Sequence, residues 1–244
     1  MGLRNPTPED AFIMDEKPKT TRPAGLITVV SDTICPWCYV GKRRLEGALK
    51  ILSEEGLDFD VEWRPFQLNP DLPDRGMNRR DYRAAKFGSA QSEALDRHVQ
   101  QVGLQSGIDF RFDLIERTPN TLASHVLIAD ARRAGGLVMQ NKAVDALFAA
   151  YFTQGRDIGR ADVLREISFE AGVDHGPDVT AELWEFVQEE ENVLRQSGLN
   201  SVPTFLFNGR YLLNGAQPTL AHVEALRRAA AAGAFDAPFS GWDA

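Results

Sequence analysis

Ser31-Asp32-Thr33-Ile34-Cys35-Pro36-Trp37-Cys38-Tyr39-Val40-Gly41 decides how the rest of this chain is read. The run before it, Leu26-Ile27-Thr28-Val29-Val30, is apolar and β-branched and predicts a buried strand. The run after it, Lys42 to Leu52, carries Leu45, Leu49 and Leu52 at helical spacing. A Cys-x-x-Cys pair is therefore expected where a strand ends and a helix begins. The unpaired N–H groups and the dipole of a helix N-terminus stabilise an anion, here a thiolate. Cys35 is expected to be the more exposed and more acidic thiol, with Cys38 buried one turn on and able to close a disulfide onto it. Pro36 suits an early helical position, where its missing N–H costs nothing. The pattern points to dithiol–disulfide chemistry.

Two other readings of the pair are weaker. Half of a zinc site would need about two further ligands, and none of His98, His125, His175 and His222 lies near the pair in a chain with 2 Cys and 4 His. A static disulfide closing so short a loop would add little stability. No metal is expected.

The 244 residues can hold one large domain, or one domain with a substantial insertion. Hydrophobic content of 43% and charged content of 25% are those of a soluble protein. A net charge of −8, with no basic stripe among aromatics, argues against nucleic acid as a partner. No apolar run approaches ~18 residues, so no membrane span is expected. Residues 1–25 are polar, contain Pro6, Pro8, Pro18 and Pro23, and lack the apolar core of a secretory signal. They read as a disordered or loosely held tail, and the cytoplasm is the default compartment.

After the first helix, Leu57 to Trp63 alternates apolar and acidic residues, the period of a half-buried strand, which suggests a parallel βαβ unit. Arg64 to Pro73 is too rich in proline for an element. From Asn78 to Gly198 the pattern is helical without a convincing strand: Asn78–Lys86, Ser92–Gln105, Leu122–Ala134 closed by Gly135-Gly136, Leu137–Phe152, Ala161–Ala171 and Thr180–Ser197. Phe148, Tyr151 and Phe152 read as core. Strand pattern returns at Ser201–Phe207 and Arg210–Asn214 around Asn208-Gly209, a hairpin signal, before a last helix, Thr219–Ala232. Phe235, Phe239 and Trp242 are expected to dock on the body.

Elements in the order β-α-β, helices, β-β-α close into one sheet as an α/β, thioredoxin-like fold with an all-helical insertion. The expected division is a tail at 1–25, a discontinuous thioredoxin-like domain at 26–77 and 199–244, and a helical insertion domain at 78–198. The insertion leaves and re-enters the chain between Cys35 and Pro203, so it is expected to roof the Cys pair and select substrates.

Cys35-Pro36-Trp37-Cys38-Tyr39-Val40-Gly41-Lys42-Arg43, Trp63-Arg64-Pro65-Phe66-Gln67-Leu68-Asn69-Pro70 and Ser201-Val202-Pro203-Thr204-Phe205-Leu206-Phe207-Asn208-Gly209 resemble the DsbA-like thioredoxin family, most closely its FrnE-type branch. The resemblance implies thiol–disulfide oxidoreductase or isomerase activity through a mixed disulfide. It makes Cys35 the nucleophile, Cys38 the resolving thiol and Pro203 a cis proline facing them. Pro36, Trp37, Phe66, Asn120, His125 and Val202 become candidate substrate contacts. No cofactor is required, with glutathione a candidate co-substrate. The partners expected are disulfide- or thiol-containing proteins or small molecules, and a second copy of the chain is a candidate. The 2-hydroxychromene-2-carboxylate isomerases and kappa-class glutathione transferases share the architecture but usually carry Ser in place of the nucleophile and lack the resolving Cys. They form the alternative reading, and a redox-regulated binding module or chaperone is a third.

Overall fold

β1 (Leu26–Ser31) is the inner strand from which the sheet grows, buried along all but its first residue. In the computed structural model, which describes residues 23–173 and 180–232, β1 pairs in parallel with β2 (Asp60–Pro65), Val29 opposite Trp63. On its other side it pairs antiparallel with β5 (Thr204–Phe207), Val29 opposite Phe205. β6 (Arg210–Asn214) completes the order β2-β1-β5-β6. The β5–β6 turn is Asn208-Gly209, both at positive φ (47° and 75°), the backbone this dipeptide accepts most readily. β2 starts at Asp60 and not at Leu57, because its ladder begins opposite Leu26.

α1 (Pro36–Glu54) carries the chain from β1 to β2. It buries Leu45, Ala48 and Leu52 in one cluster with Ile27, Val29, Phe205 and Phe207 of the sheet and with Val223 and Leu226 of α7 (Thr219–Ala231). The alternation of Leu57 to Trp63 predicts a half-buried strand, but β2 is covered on its other face too. α6 (Ala181–Gln196) covers it, so Glu62 and Arg64 are buried and must find partners. Glu62 accepts from the Thr28 hydroxyl at 2.6 Å, and Arg64 spans Glu62 at 3.3 Å and Glu190 at 2.5 Å.

The segment between β2 and β5 is helical as expected, with one difference. β3 (Met77–Asn78) and β4 (Arg117–Thr118) form a two-residue antiparallel ladder, too short to leave a periodic signal. α2 (Arg79–Phe87) and α3 (Ser89–Gln105) run between them. α4 (Leu122–Phe152) breaks at Gly135 and Gly136, the latter at φ 66° and ψ −160°, into the two helical arms that the Gly-Gly pair predicted. α5 (Ala161–Glu170) packs on it.

The second arm of α4 lies along β2. There the Gln140 amide accepts from the Trp63 N–H at 3.0 Å and donates to the Trp63 carbonyl at 2.9 Å, meeting both backbone groups of one residue with one side chain. The same arm stacks Phe148 on Tyr39 of α1, with centroids 5.0 Å apart, and supplies Asp145 to the fully buried Lys42 ammonium at 3.0 Å. Residues 1–22, His175, Phe235, Phe239 and Trp242 lie outside the described residues.

Candidate active site

Cys35 is the N-cap of α1 and Pro36 its first helical residue. The Cys35 amide donates to the Asp32 carbonyl at 3.0 Å, and its own carbonyl accepts from Cys38 at 3.0 Å and Tyr39 at 3.4 Å, which winds the motif into the first helical turn. Both thiols are free. The expected difference in exposure survives only as a ranking, since Cys35 is 4% exposed and Cys38 0%. Burial, reinforced by the neighbouring Cys35, pushes the Cys38 thiol well above the usual cysteine range, so Cys38 is held as a neutral thiol.

Cys35 Sγ lies 3.9 Å from the Val202 carbonyl, and the Val202–Pro203 peptide bond is cis. The chain segment entering β5 can come this close because Gly41 has no side chain. A Cβ at that position would stand 3.0 Å from Pro203 Cγ and 3.2 Å from the Phe205 ring.

Asp32, to which the sequence assigned no role, is fully buried behind the motif. Its carboxylate accepts from the Leu68 amide at 2.7 Å and the Ile34 amide at 3.4 Å, tying the loop after β2 to the turn before Cys35. Glu191 of α6 fixes the same loop one residue earlier, accepting from the Gln67 amide at 2.8 Å. No composition signal marks Asp32, because its role comes from backbone groups that only the fold brings to it.

The candidate contacts divide into two groups. Pro36 and Trp37 line a cavity together with Cys35, and Val202 lies against Cys35. Phe66, Asn120 and His125 sit elsewhere. Phe66 is packed with Val30 and Leu194 beneath the Arg195 guanidinium, 4.1 Å from its ring. Asn120 uses its side chain to hold the Leu72 carbonyl at 2.9 Å and the Leu122 amide at 3.0 Å. His125 is buried, with Nε2 3.6 Å from Asp32 Oδ1. Beside it Ser124 and Thr33 hydrogen-bond hydroxyl to hydroxyl at 2.7 Å, joining α4 to the motif. These residues brace the site from behind.

The cavity onto which Cys35 opens measures about 330 Å³, and its far wall comes from the helical segment. Tyr151 and Phe152 of α4 contribute, and so do Arg79, Arg83 and Lys86 of α2, cations at helical spacing on one face. The sequence reading passed over these three, although their spacing was legible. Asp96 of α3 takes Arg79 at 2.8 Å and Arg83 at 2.7 Å on its two oxygens. Trp37 meets His98 of α3, ring centroids 5.7 Å apart. Among the described residues no three His, Cys, Asp or Glu side chains gather as a metal site, and no helix is long and apolar enough to cross a membrane.

A four-stranded sheet with a dithiol at the head of its crossover helix and a cis proline beside it defines a thioredoxin-like protein. The chain belongs to the DSBA-like thioredoxin domain family, whose model matches residues 26–227, a family of thiol–disulfide oxidoreductases. It is 27% identical over 195 residues to YwbO of Bacillus subtilis, a protein described as uncharacterized, with 78% of this chain and 90% of that one covered. Among solved structures it is similar to the probable DsbA oxidoreductase SCO1869 of Streptomyces coelicolor, with TM-score 0.72, 26% identity and coverage of 86% and 92%. It also shares the fold of the cytosolic disulfide reductase DsbM of Pseudomonas aeruginosa, with TM-score 0.58, 18% identity and coverage of 84% and 98%. DsbM has also been solved with GSH.

Proposed function

We propose that this protein is a cytoplasmic thiol–disulfide oxidoreductase in which Cys35 attacks and Cys38 resolves. The observation that carries this reading is the asymmetry of the pair: Cys35 caps a helix and opens on a cavity, while Cys38 sits one turn deeper with its proton retained by burial. In the reducing direction, Cys35 as thiolate attacks one sulfur of a substrate disulfide. The other sulfur leaves as a thiolate and takes up a proton. Cys38 then gives up its proton, attacks Cys35 Sγ and releases the second substrate thiol, leaving a Cys35–Cys38 disulfide. Two electrons pass from the protein to the substrate, and two equivalents of a thiol such as glutathione return them. Substrate oxidation is the same sequence reversed. Pro36 and Trp37 line the cavity and Val202 lies against Cys35; in this reading these three are the substrate contacts, with the cis Pro203 following Val202. The glutathione-dependent isomerase reading needs no resolving thiol and leaves Cys38 without a task.

Replacing the resolving thiol tests the proposal. Cys38→Ser should accumulate a mixed disulfide on Cys35, seen as a mass increase that dithiothreitol removes, and Cys35→Ser should form none. Wild type should reduce a model disulfide with dithiothreitol as electron donor. Failure of wild type to turn over any disulfide, together with no adduct on Cys38→Ser, would overturn the reading.

A further inference from the structure

The wall opposite Cys35 is more positive than its surroundings require. Three cations, Arg79, Arg83 and Lys86, face the cavity against one carboxylate, Asp96, leaving an excess of two positive charges in a chain whose net charge is −8. Asp96 already divides its oxygens between the two guanidinium groups. The Arg83 guanidinium is held below its usual range, first by burial and then by the nearby Arg79 charge, with Asp96 opposing. The described partners of Lys86 are neutral: Asn69 Oδ1 at 3.0 Å, the Tyr82 hydroxyl at 2.7 Å, and the rings of Tyr82 and Phe87. Packing engages the two arginines, Arg79 over the Phe112 ring and Arg83 over the Phe87 ring with hydrogen bonds to Ser92, but all of these partners are neutral and leave the surplus charge uncompensated. Crowding like charges at a partly desolvated wall is unfavourable unless an anion completes it.

Size restricts that anion. The cavity of about 330 Å³ lies within the range of small-molecule sites, and Cys35 is only 4% exposed at its edge. A thiol so little exposed, at the edge of a cavity of this size, favours a small disulfide over one held in a folded protein.

We propose that the cavity receives a low-molecular-weight disulfide bearing carboxylates, with its sulfur at Cys35 and its acidic groups on the α2 row, and that Arg83 and Lys86 set this specificity. The inference rests on the thiol–disulfide reading above and assigns its substrate class. No further reactant is needed for the first turnover. One disulfide is reduced to two thiols as the protein's own dithiol is oxidised.

Three disulfides of similar size test it: dithiodiglycolate with two negative charges, 2-hydroxyethyl disulfide with none, and cystamine with two positive charges. Reduced protein is mixed with each under single-turnover conditions, and each rate is divided by its rate with free dithiothreitol. The expected order is dithiodiglycolate, then 2-hydroxyethyl disulfide, then cystamine, with about tenfold or more between the ends at low salt and a smaller spread at high salt. Lys86 is exposed, so Lys86→Gln and Lys86→Glu should fold and should narrow the spread stepwise. Asp96→Asn, which removes the one carboxylate, should widen it. Equal normalised rates, or a spread unchanged in both Lys86 variants, overturn the inference and leave the oxidoreductase reading standing. Reduction of insulin disulfides faster than dithiodiglycolate also overturns it. No reaction with any disulfide overturns the oxidoreductase reading itself.

Discussion

Asp32 and His125 face each other behind the thiols, carboxylate Oδ1 3.6 Å from imidazole Nε2, both buried and neither reaching the cavity. Asp32 comes from the end of β1 and His125 from the first arm of α4, so the contact joins the dithiol scaffold to the helical segment. Asp32 does the stricter task, because two backbone amides depend on it. Removing its side chain leaves the Leu68 and Ile34 amides without an acceptor, a loss of about 1–3 kcal/mol for a buried donor. Asp32→Ala should lower unfolding stability by that amount and slow thiol exchange, because the loop at Leu68 is released. Asp32→Asn, which keeps one acceptor oxygen, should lose less on both counts. Urea unfolding and single-turnover kinetics on the same samples check this.

Gly41 gives a sharper test of geometry at the thiols. Alanine there meets Pro203 and Phe205 at distances tighter than ordinary packing, so Pro203 must shift by a few tenths of an ångström. Overpacking of this kind costs about 1–3 kcal/mol. Gly41→Ala should therefore slow the reaction of Cys35 more than its stability loss alone explains. Gly47→Ala, which meets only the Thr219 side chain, serves as the comparison.

The two thiols should label very differently. Burial and the Cys35 neighbour hold Cys38 well above the usual cysteine range, and it is inaccessible. Iodoacetamide at pH 8 should modify Cys35 first and leave Cys38 untouched until denaturant is added. Mass mapping of labelled peptides reads the outcome, and early label on Cys38 would refute it.

His222 predicts how acid acts on the fold. It is fully buried on α7, its ring edge-on to Phe205 with centroids 4.6 Å apart, and neither ring nitrogen has a hydrogen-bond partner. Burial, with the Arg44 charge nearby, lowers its pKa from 6.5 to about 4. The folded value lies below the unfolded one, so the unfolded chain binds the proton first as pH falls. Stability from the neutral ring is complete above pH 6.5 and declines towards pH 4, by about 3 kcal/mol at full extent. His222→Leu should flatten that part of the stability–pH curve, measured by urea unfolding at pH 7, 5.5 and 4.5.

Much of this was legible in the sequence, for reasons that differ by element. β1, α1 and the hairpin at Asn208-Gly209 each carry a local signature that tertiary contacts do not override. The Cys-x-x-Cys pair, read with its flanking strand and helix, points to the family to which the chain belongs. What escaped the reading is polar and non-local. Nothing local marks Lys42 as buried, because its partner Asp145 lies about a hundred positions away. Glu62 read as the wet side of a strand and Arg64 as the start of a loop, because nothing in their segment announces α6 above them. Asn120 and His125 resembled substrate contacts, yet their side chains are engaged or enclosed within the protein. The cation row of α2 had a readable period, but a row of cations more often faces solvent than a cavity.

The Gln140 amide against Trp63 also covers part of one edge of the sheet. The exposed rim of a sheet is where a foreign strand can join it. At β2 that rim is occupied by the second arm of α4, which takes both backbone groups of Trp63. At β6 no strand among the described residues pairs with the outer side, and Tyr211 stands 64% exposed there. The two ends of the sheet therefore differ: the arm of α4 occupies the Trp63 backbone at one, while among the described residues the β6 edge beside Tyr211 is left open to an added strand.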